Sequence, residues 1–171
     1  MDTRLFLSVA EFKKLGYTNT NVNDNIITKT IIRVQDVELR SILGTVFYNH
    51  LKDAMYAIPS TLTAEERTLI DDYINPFLVT ATDYRIVIPI LTEIRAKGIG
   101  TTNDGDTTTA TDSQVSRLEN SNDMDSKTYK HLLKCYLEDN CDKFPLHHKH
   151  NCKCGKAEPF SKGYAQNISF I

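Results

Sequence analysis

Residues 24–58 carry a helical hydrophobic period broken by one glycine, and that break constrains the fold more than any other feature. Before it, Ile27, Ile31, Val34 and Ile42 share one side of a helical wheel. After it, Phe47, Leu51, Ala54 and Ile58 recur at i, i+4, i+7 and i+11, with Asn49, His50, Lys52 and Asp53 turned away. Gly44 stands between the two runs. It is expected to take a left-handed or otherwise special backbone that ends the first helix, with Thr45 capping the second. The apolar faces of these two helices need further elements to pack on, and since the other patterned segments also read as helices, the expected fold class is all-α.

The opposite side of the first helix holds Lys29, Arg33, Asp36 and Arg40 in a narrow stripe. One reading is a solvated face with Arg33–Asp36 and Asp36–Arg40 pairs, each worth a few tenths of a kcal/mol. The other is a charged seam against a neighbouring subunit. Gln35 and Glu38 sit among the apolar positions, where a monomer core would not welcome them, and this leans toward the seam.

The flanking segments read as further helices. Ser8 and Glu11 have capping-box spacing ahead of a short helix over residues 9–15, closed at Gly16, and Asn23 or Asp24 can cap the next. Pro59-Ser60 ends the second arm of the corner, and a Thr63/Glu66 box opens a helix of about ten residues through Ile74. Asn75-Pro76 restarts the chain into a central helix over about 76–97. Its stripe is Phe77, Ala81, Tyr84, Ile88 and Leu91, and Pro89 is expected to kink it. Residues 98–111 are a polar loop, followed by a helix that Asp112 can cap. That helix turns amphipathic at Tyr129, Leu132, Leu133, Tyr136 and Leu137 and stops at Phe144-Pro145. The whole reads as a small bundle of five to six helices over 1–145 with an extended tail over 146–171. Within that tail the closing ISFI, with Ile168 and Phe170, suits a short strand able to pair with an edge on another chain.

Charge and composition remove several function classes. A formal charge of −2 and a pI near 6.2 argue against a strongly basic nucleic-acid binder. The longest apolar stretch, FLVTATDYRIVIPILTEI, is interrupted by Asp83, Arg85 and Glu93, so it reads as a core helix and not a membrane span. The opening MDTRLFLSVAEF is too short in its apolar run for a secretory signal, which makes cytoplasmic synthesis the default and thiols the expected state of the four cysteines.

Sites for chemistry are sparse. His147, His148 and His150 crowd near Cys141, Cys152 and Cys154, and Cys141, His150, Cys152 and Cys154 are the weak candidates for a structural zinc ion. Cys152 and Cys154 are spaced more tightly than a zinc knuckle, and no second such pair completes a set. No metal is therefore expected, with a zinc-stabilised helical adaptor or regulatory module as the alternative. His50 reads as a lone surface polar residue. Asp71 with Asp72, and Asp104 with Asp106, are adjacent in sequence without being pre-organised for acid–base work. GIGTTNDG lacks the Gly-Lys-Ser/Thr ending of a phosphate loop and follows a helix where a strand is required. No enzyme and no cofactor are expected.

The stretch QDVELRSILGTVFYNHL, residues 35–51, resembles the pattern QD-x-x-L-x-x-I-L-G-x-x-(L/F)-Y-x-x-L of small helical head-to-tail connector proteins in tailed bacteriophages, nearest to those of crAss-like phages. Gln35, Asp36, Leu39, Ile42, Leu43, Gly44, Tyr48 and Leu51 carry the match, and FLSVAEFKKLG and YLEDNCDKFP are similar in order. The resemblance implies a structural virion protein, made in the host bacterial cytoplasm and placed at the neck. There a ring of about twelve copies docks on the portal, extends the DNA channel and gives tail proteins a platform. Partners would be copies of itself, portal, other connector or tail proteins and genomic DNA passing through the channel without sequence-specific binding, with no membrane. The expected interface residues are Lys29, Arg33, Asp36, Glu38, Arg40, Ile168 and Phe170. The histidine- and cysteine-rich tail departs from the family pattern.

Overall fold

The computed structural model describes residues 3–18, 21–96 and 112–147, and these form a helical bundle with no strand among them. The polar loop over 98–111 and the closing ISFI lie outside the described residues, as do His148, His150, Cys152, Cys154, Ile168 and Phe170. Five helical rods make up the described part: α1 (Val9–Leu15), α2 (residues 24–43), α3 (Thr45–Tyr56), α4 (residues 64–96) and α5 (Asp112–Asp139).

Both capping boxes form as their spacing predicts. The Ser8 and Thr63 side chains accept from the amides of Glu11 and Glu66, whose carboxylates return to the amides of Ser8 and Thr63. Asn23 is the cap of α2 and accepts from the Asn25 amide. After α1 the chain is caught by α4: the buried Asp83 carboxylate accepts from the Tyr17 and Thr18 amides at 2.9 and 3.2 Å and from the Thr18 hydroxyl at 2.6 Å. Gly16 permits that approach. A Cβ there would lie 3.0 Å from an Asp83 carboxylate oxygen.

α2 is longer than one α-helical period allows without adjustment. Residues 35–39 form a π-helical turn in which the Arg40 amide donates to the Gln35 carbonyl, five residues back. Such a turn inserts one residue and rotates everything after it by roughly 100°. Ile27, Ile31 and Val34 bury one face before the turn, and Leu39, Ile42 and Leu43 continue it afterwards. The expected charged stripe is cut in two. Lys29 and Arg33 stay exposed, whereas Asp36 and Arg40 are half-buried.

Gly44 has φ 77° and ψ 151°, a conformation essentially confined to glycine. Its amide donates to Arg40 and its carbonyl accepts from Tyr48, so it closes α2 and opens α3. Thr45, expected as the cap, is instead the first residue of α3, because the glycine already occupies the capping position. Phe47, Leu51 and Ala54 are buried as expected. Two expectations fail here. Ile58 is fully exposed, since the helix ends at Tyr56, and Lys52 is only 1% exposed.

α4 runs without a break through Asn75-Pro76. A second π-helical turn, residues 69–74, precedes the proline, with the Asn75 amide donating to the Ile70 carbonyl. The widened turn gives the Pro76 ring room that a regular helix would deny it, which is why the expected restart is absent. Phe77, Leu78, Val79, Ala81, Thr82, Asp83 and Ile86 are buried, close to all-round burial, as suits the central helix. Ile88 is exposed, so the narrow stripe predicted through Tyr84 and Ile88 describes only the first turns.

α5 packs along α4, burying Asn122, Ser126, Leu133 and Leu137. Tyr129 and Leu132, expected in the stripe, face outward, because the small polar residues at 122 and 126 take the inner position one turn earlier. The Tyr136 ring stacks on Tyr73 at 3.9 Å, and Phe144 follows a short 3-10 turn into the core against Phe47 and Tyr136.

Candidate functional site: a polar corner under an extended strap

The corner between α2 and α3 encloses a cluster of polar side chains around Asp36. The Tyr48 hydroxyl donates to Asp36 at 2.6 Å, the Arg40 guanidinium reaches the same carboxylate oxygen at 3.4 Å, and the Lys52 ammonium lies 3.9 Å away. Arg40 and Lys52 also lie over the Tyr48 ring, at 4.6 and 5.0 Å from its centroid, where the negative face of the ring attracts them. Burial, and then the bond to and charge of Asp36, push the Tyr48 phenol well above its ordinary pKa, against the opposing pull of Arg40. The hydroxyl therefore stays protonated and acts as a donor, not as a base.

Glu38 links three helices. It accepts from the Arg85 Nε at 3.0 Å, with Arg85 Nη2 at 2.9 Å, and the Lys130 ammonium lies at 3.8 Å. Gln35 is completely buried, and both ends of its amide are used: it accepts from the Phe6 amide at 3.3 Å and donates to the Arg4 carbonyl at 2.9 Å. The seam reading leaned on Gln35 and Glu38 being misplaced in a monomer. Both are satisfied within the chain, and Asp36 and Arg40 are engaged there too. Of the five charged interface candidates, Lys29 and Arg33 keep an open solvent face, whereas Asp36 meets Arg40 and Glu38 meets Arg85 and Lys130 in the subunit's own packing.

Residues that the sequence does not mark as site or interface candidates complete the picture. Lys52 was placed on the outer face by the wheel, and nothing in its local spacing shows that the corner would enclose it. Tyr48 had a signal, since it follows Asp36 across the glycine within the matched pattern. His50 is not isolated: its Nε2 lies 2.7 Å from the buried Glu66 carboxylate, whose other oxygen serves the capping box. His147 Nδ1 lies 3.1 Å from the Leu43 carbonyl and its ring packs near Phe47, so the chain still touches the corner beyond 145.

Metal and nucleophile chemistry find little purchase among the described residues. Among the described residues, no group of three or more His, Cys, Asp and Glu side chains is placed to hold a metal ion. Cys141 is disulfide-bonded, against the expectation of a thiol, and in that state it offers no thiolate to zinc. Cys135 lies 3.5 Å from His131 Nε2, but burial, Glu138 and Asp139 push its thiol up, away from the reactive thiolate. What the corner does chemically is fix a fold. Two helices are locked at a set angle by one carboxylate, one phenol and two cations.

These features define a small all-α unit with a charge-locked helix corner. The chain belongs to DUF6712, a family of unknown function, which residues 39–157 match. No curated protein matches the chain, and no solved structure does.

Proposed function

We propose that the chain is a structural, non-enzymatic virion subunit: a head-to-tail connector that docks on the portal of a tailed phage as a ring of about twelve copies and offers a platform to tail proteins. The observation that carries this reading is the behaviour of the residues behind the resemblance. Gln35, Asp36, Leu39, Ile42, Leu43, Gly44, Tyr48 and Leu51 are a single co-packed corner, so the similarity concerns one structural unit and not scattered matches. A stiff corner is what a ring subunit needs, because a small error in angle, repeated around the ring, prevents closure.

The surface agrees with such a role. Tyr17, Val37, Val46, Ile58, Ile88 and Met124 are exposed, apolar supply for contacts with copies or neck proteins. Lys29 and Arg33 can set register across a subunit boundary. A formal charge of −2 lets DNA slide past without a strong grip. No described helix is long and apolar enough to cross a membrane. The protein would be made in the bacterial cytoplasm and end in the neck of the virion.

Native mass spectrometry and negative-stain imaging, on the chain alone and with portal rings, test the reading. Rings, or portal rings capped by an extra layer, are expected. A chain that stays monomeric and unbound beside portal would end it.

A further inference from the structure

Residues 4–7, ahead of α1, lie in a groove between α2 and α3 as a peptide lies in a receptor. The Tyr56 hydroxyl serves both backbone groups of Leu5, accepting from its amide at 2.9 Å and donating to its carbonyl at 2.8 Å. Gln35 does the same for the Phe6 amide and the Arg4 carbonyl. Arg4 pairs with Asp53 at 2.9 Å. Phe6 and Leu7 fill the floor, with Phe6 edge-on to Tyr48 at 5.5 Å. These partners are side chains 29 to 51 positions away, so the groove recognises an extended Arg-Leu-Phe-Leu segment and not a covalent neighbourhood.

We propose that this groove is an interaction surface between copies of the chain, occupied in the assembled state by residues 4–7 of a second copy. The segment seated there defines the occupant's chemistry: a cation, backbone groups at two positions, then two apolar side chains. Exchange keeps every one of these contacts, so its cost is the entropy of association, which falls as local concentration rises. Ser8 is the hinge. Its backbone is extended (φ −72°, ψ 154°), and residues 3–7 reach about 17 Å when fully extended, enough to cross to an abutting subunit. A contact from the strap of one copy to the groove of the next is heterologous, the kind that generates rings or filaments. The inference stands apart from the virion reading, since any assembly of copies could use it.

The test uses full-length Arg4→Lys, which preserves the charge and places a primary amine beside Asp53. Equal amounts of light and heavy nitrogen-labelled protein are warmed together at increasing concentration, then treated with a zero-length carbodiimide and digested. Cross-linked peptides joining position 4 to Asp53 are expected to include mixed-isotope species, whose share rises with concentration. Adding Tyr56→Phe should lower the yield of same-isotope and mixed species alike. Same-isotope peptides alone at every concentration, whether the protein is monomeric or associated, would overturn exchange. So would absence of the cross-link altogether. Because portal is absent, failure here leaves the connector reading untouched, and failure to bind portal leaves this one untouched.

Discussion

The π-helical turns at 35–39 and 69–74 both insert a residue into a long helix, yet they send different side chains inward. The second buries Leu69, Ile70 and Ile74 and leaves Asp71 and Asp72 in solvent, and its effect is to carry α4 through Pro76. The first buries Gln35 and half-buries Asp36 and Glu38, each with partners on other segments. A backbone irregularity that passes an obstacle needs only apolar packing on one side. One that rotates polar groups inward needs a hydrogen-bond acceptor or donor waiting for each, because an unmatched buried polar group costs about 1–3 kcal/mol. The first turn is therefore the more specifying of the two, and the more fragile.

Aspartates from the two turns expose that difference most strongly. Asp36→Ala leaves the buried Tyr48 hydroxyl without its acceptor and removes a carboxylate 3.9 Å from the buried Lys52 ammonium, so a loss of about 3 kcal/mol is expected. Asp72→Ala, at an exposed site, should change stability by less than about 0.5 kcal/mol. Urea denaturation of both variants decides the matter. Equal midpoints would mean the polar turn specifies nothing.

Gly44→Val comes next. At φ 77° a β-branched residue is strained, and about 2 kcal/mol of destabilisation is expected, visible as a lower melting temperature. An unchanged melting temperature would show that the corner can adopt another backbone. This part of the molecule was legible in the sequence: the glycine between two apolar periods, both capping boxes and the Phe47 face follow from spacing alone. The π-helical turns were not, because they change the phase of a helix without any local composition signal. That is why spacing assigns Asp36 and Arg40 to an outer stripe, and why Asn75-Pro76 reads as a break. Lys52 was misassigned for a related reason, since a wheel ranks faces within one helix and cannot see the Tyr48 ring and the Asp36 carboxylate that enclose an ammonium. The interior role of Gln35 depends on residues 4–6, which no periodicity connects to it.

Tyr48→Phe should cost about 1.5 kcal/mol, the bond from its hydroxyl to a charged acceptor. Its pH behaviour sharpens the contrast between the turns. The phenol's pKa is raised in the folded state, so the corresponding stability is fully present below the unfolded tyrosine pKa of about 10. It is lost as pH climbs above that value toward the folded one. Wild-type melting temperature should therefore fall more steeply above pH 10 than that of Tyr48→Phe. Parallel curves would remove the phenol from the corner's energetics.

The smallest effect belongs to the outer edge of the first turn. Glu38 and Arg85 are partly exposed, at 16% and 49% for their side chains, so their attraction is shared with water and screened by salt. A double-mutant cycle of Glu38→Ala and Arg85→Ala should give a coupling of about 0.5–1 kcal/mol at low salt, shrinking as ionic strength rises. The Lys130 ammonium at 3.8 Å complicates the single variants, because Glu38→Ala takes a partner from two cations at once. Repeating the cycle in a Lys130→Ala background separates them. A coupling that persists undiminished in high salt would mean that the bridge between α2, α4 and α5 is more desolvated than its exposure indicates, and would move Glu38 from the rim of the corner into its energetic centre alongside Asp36.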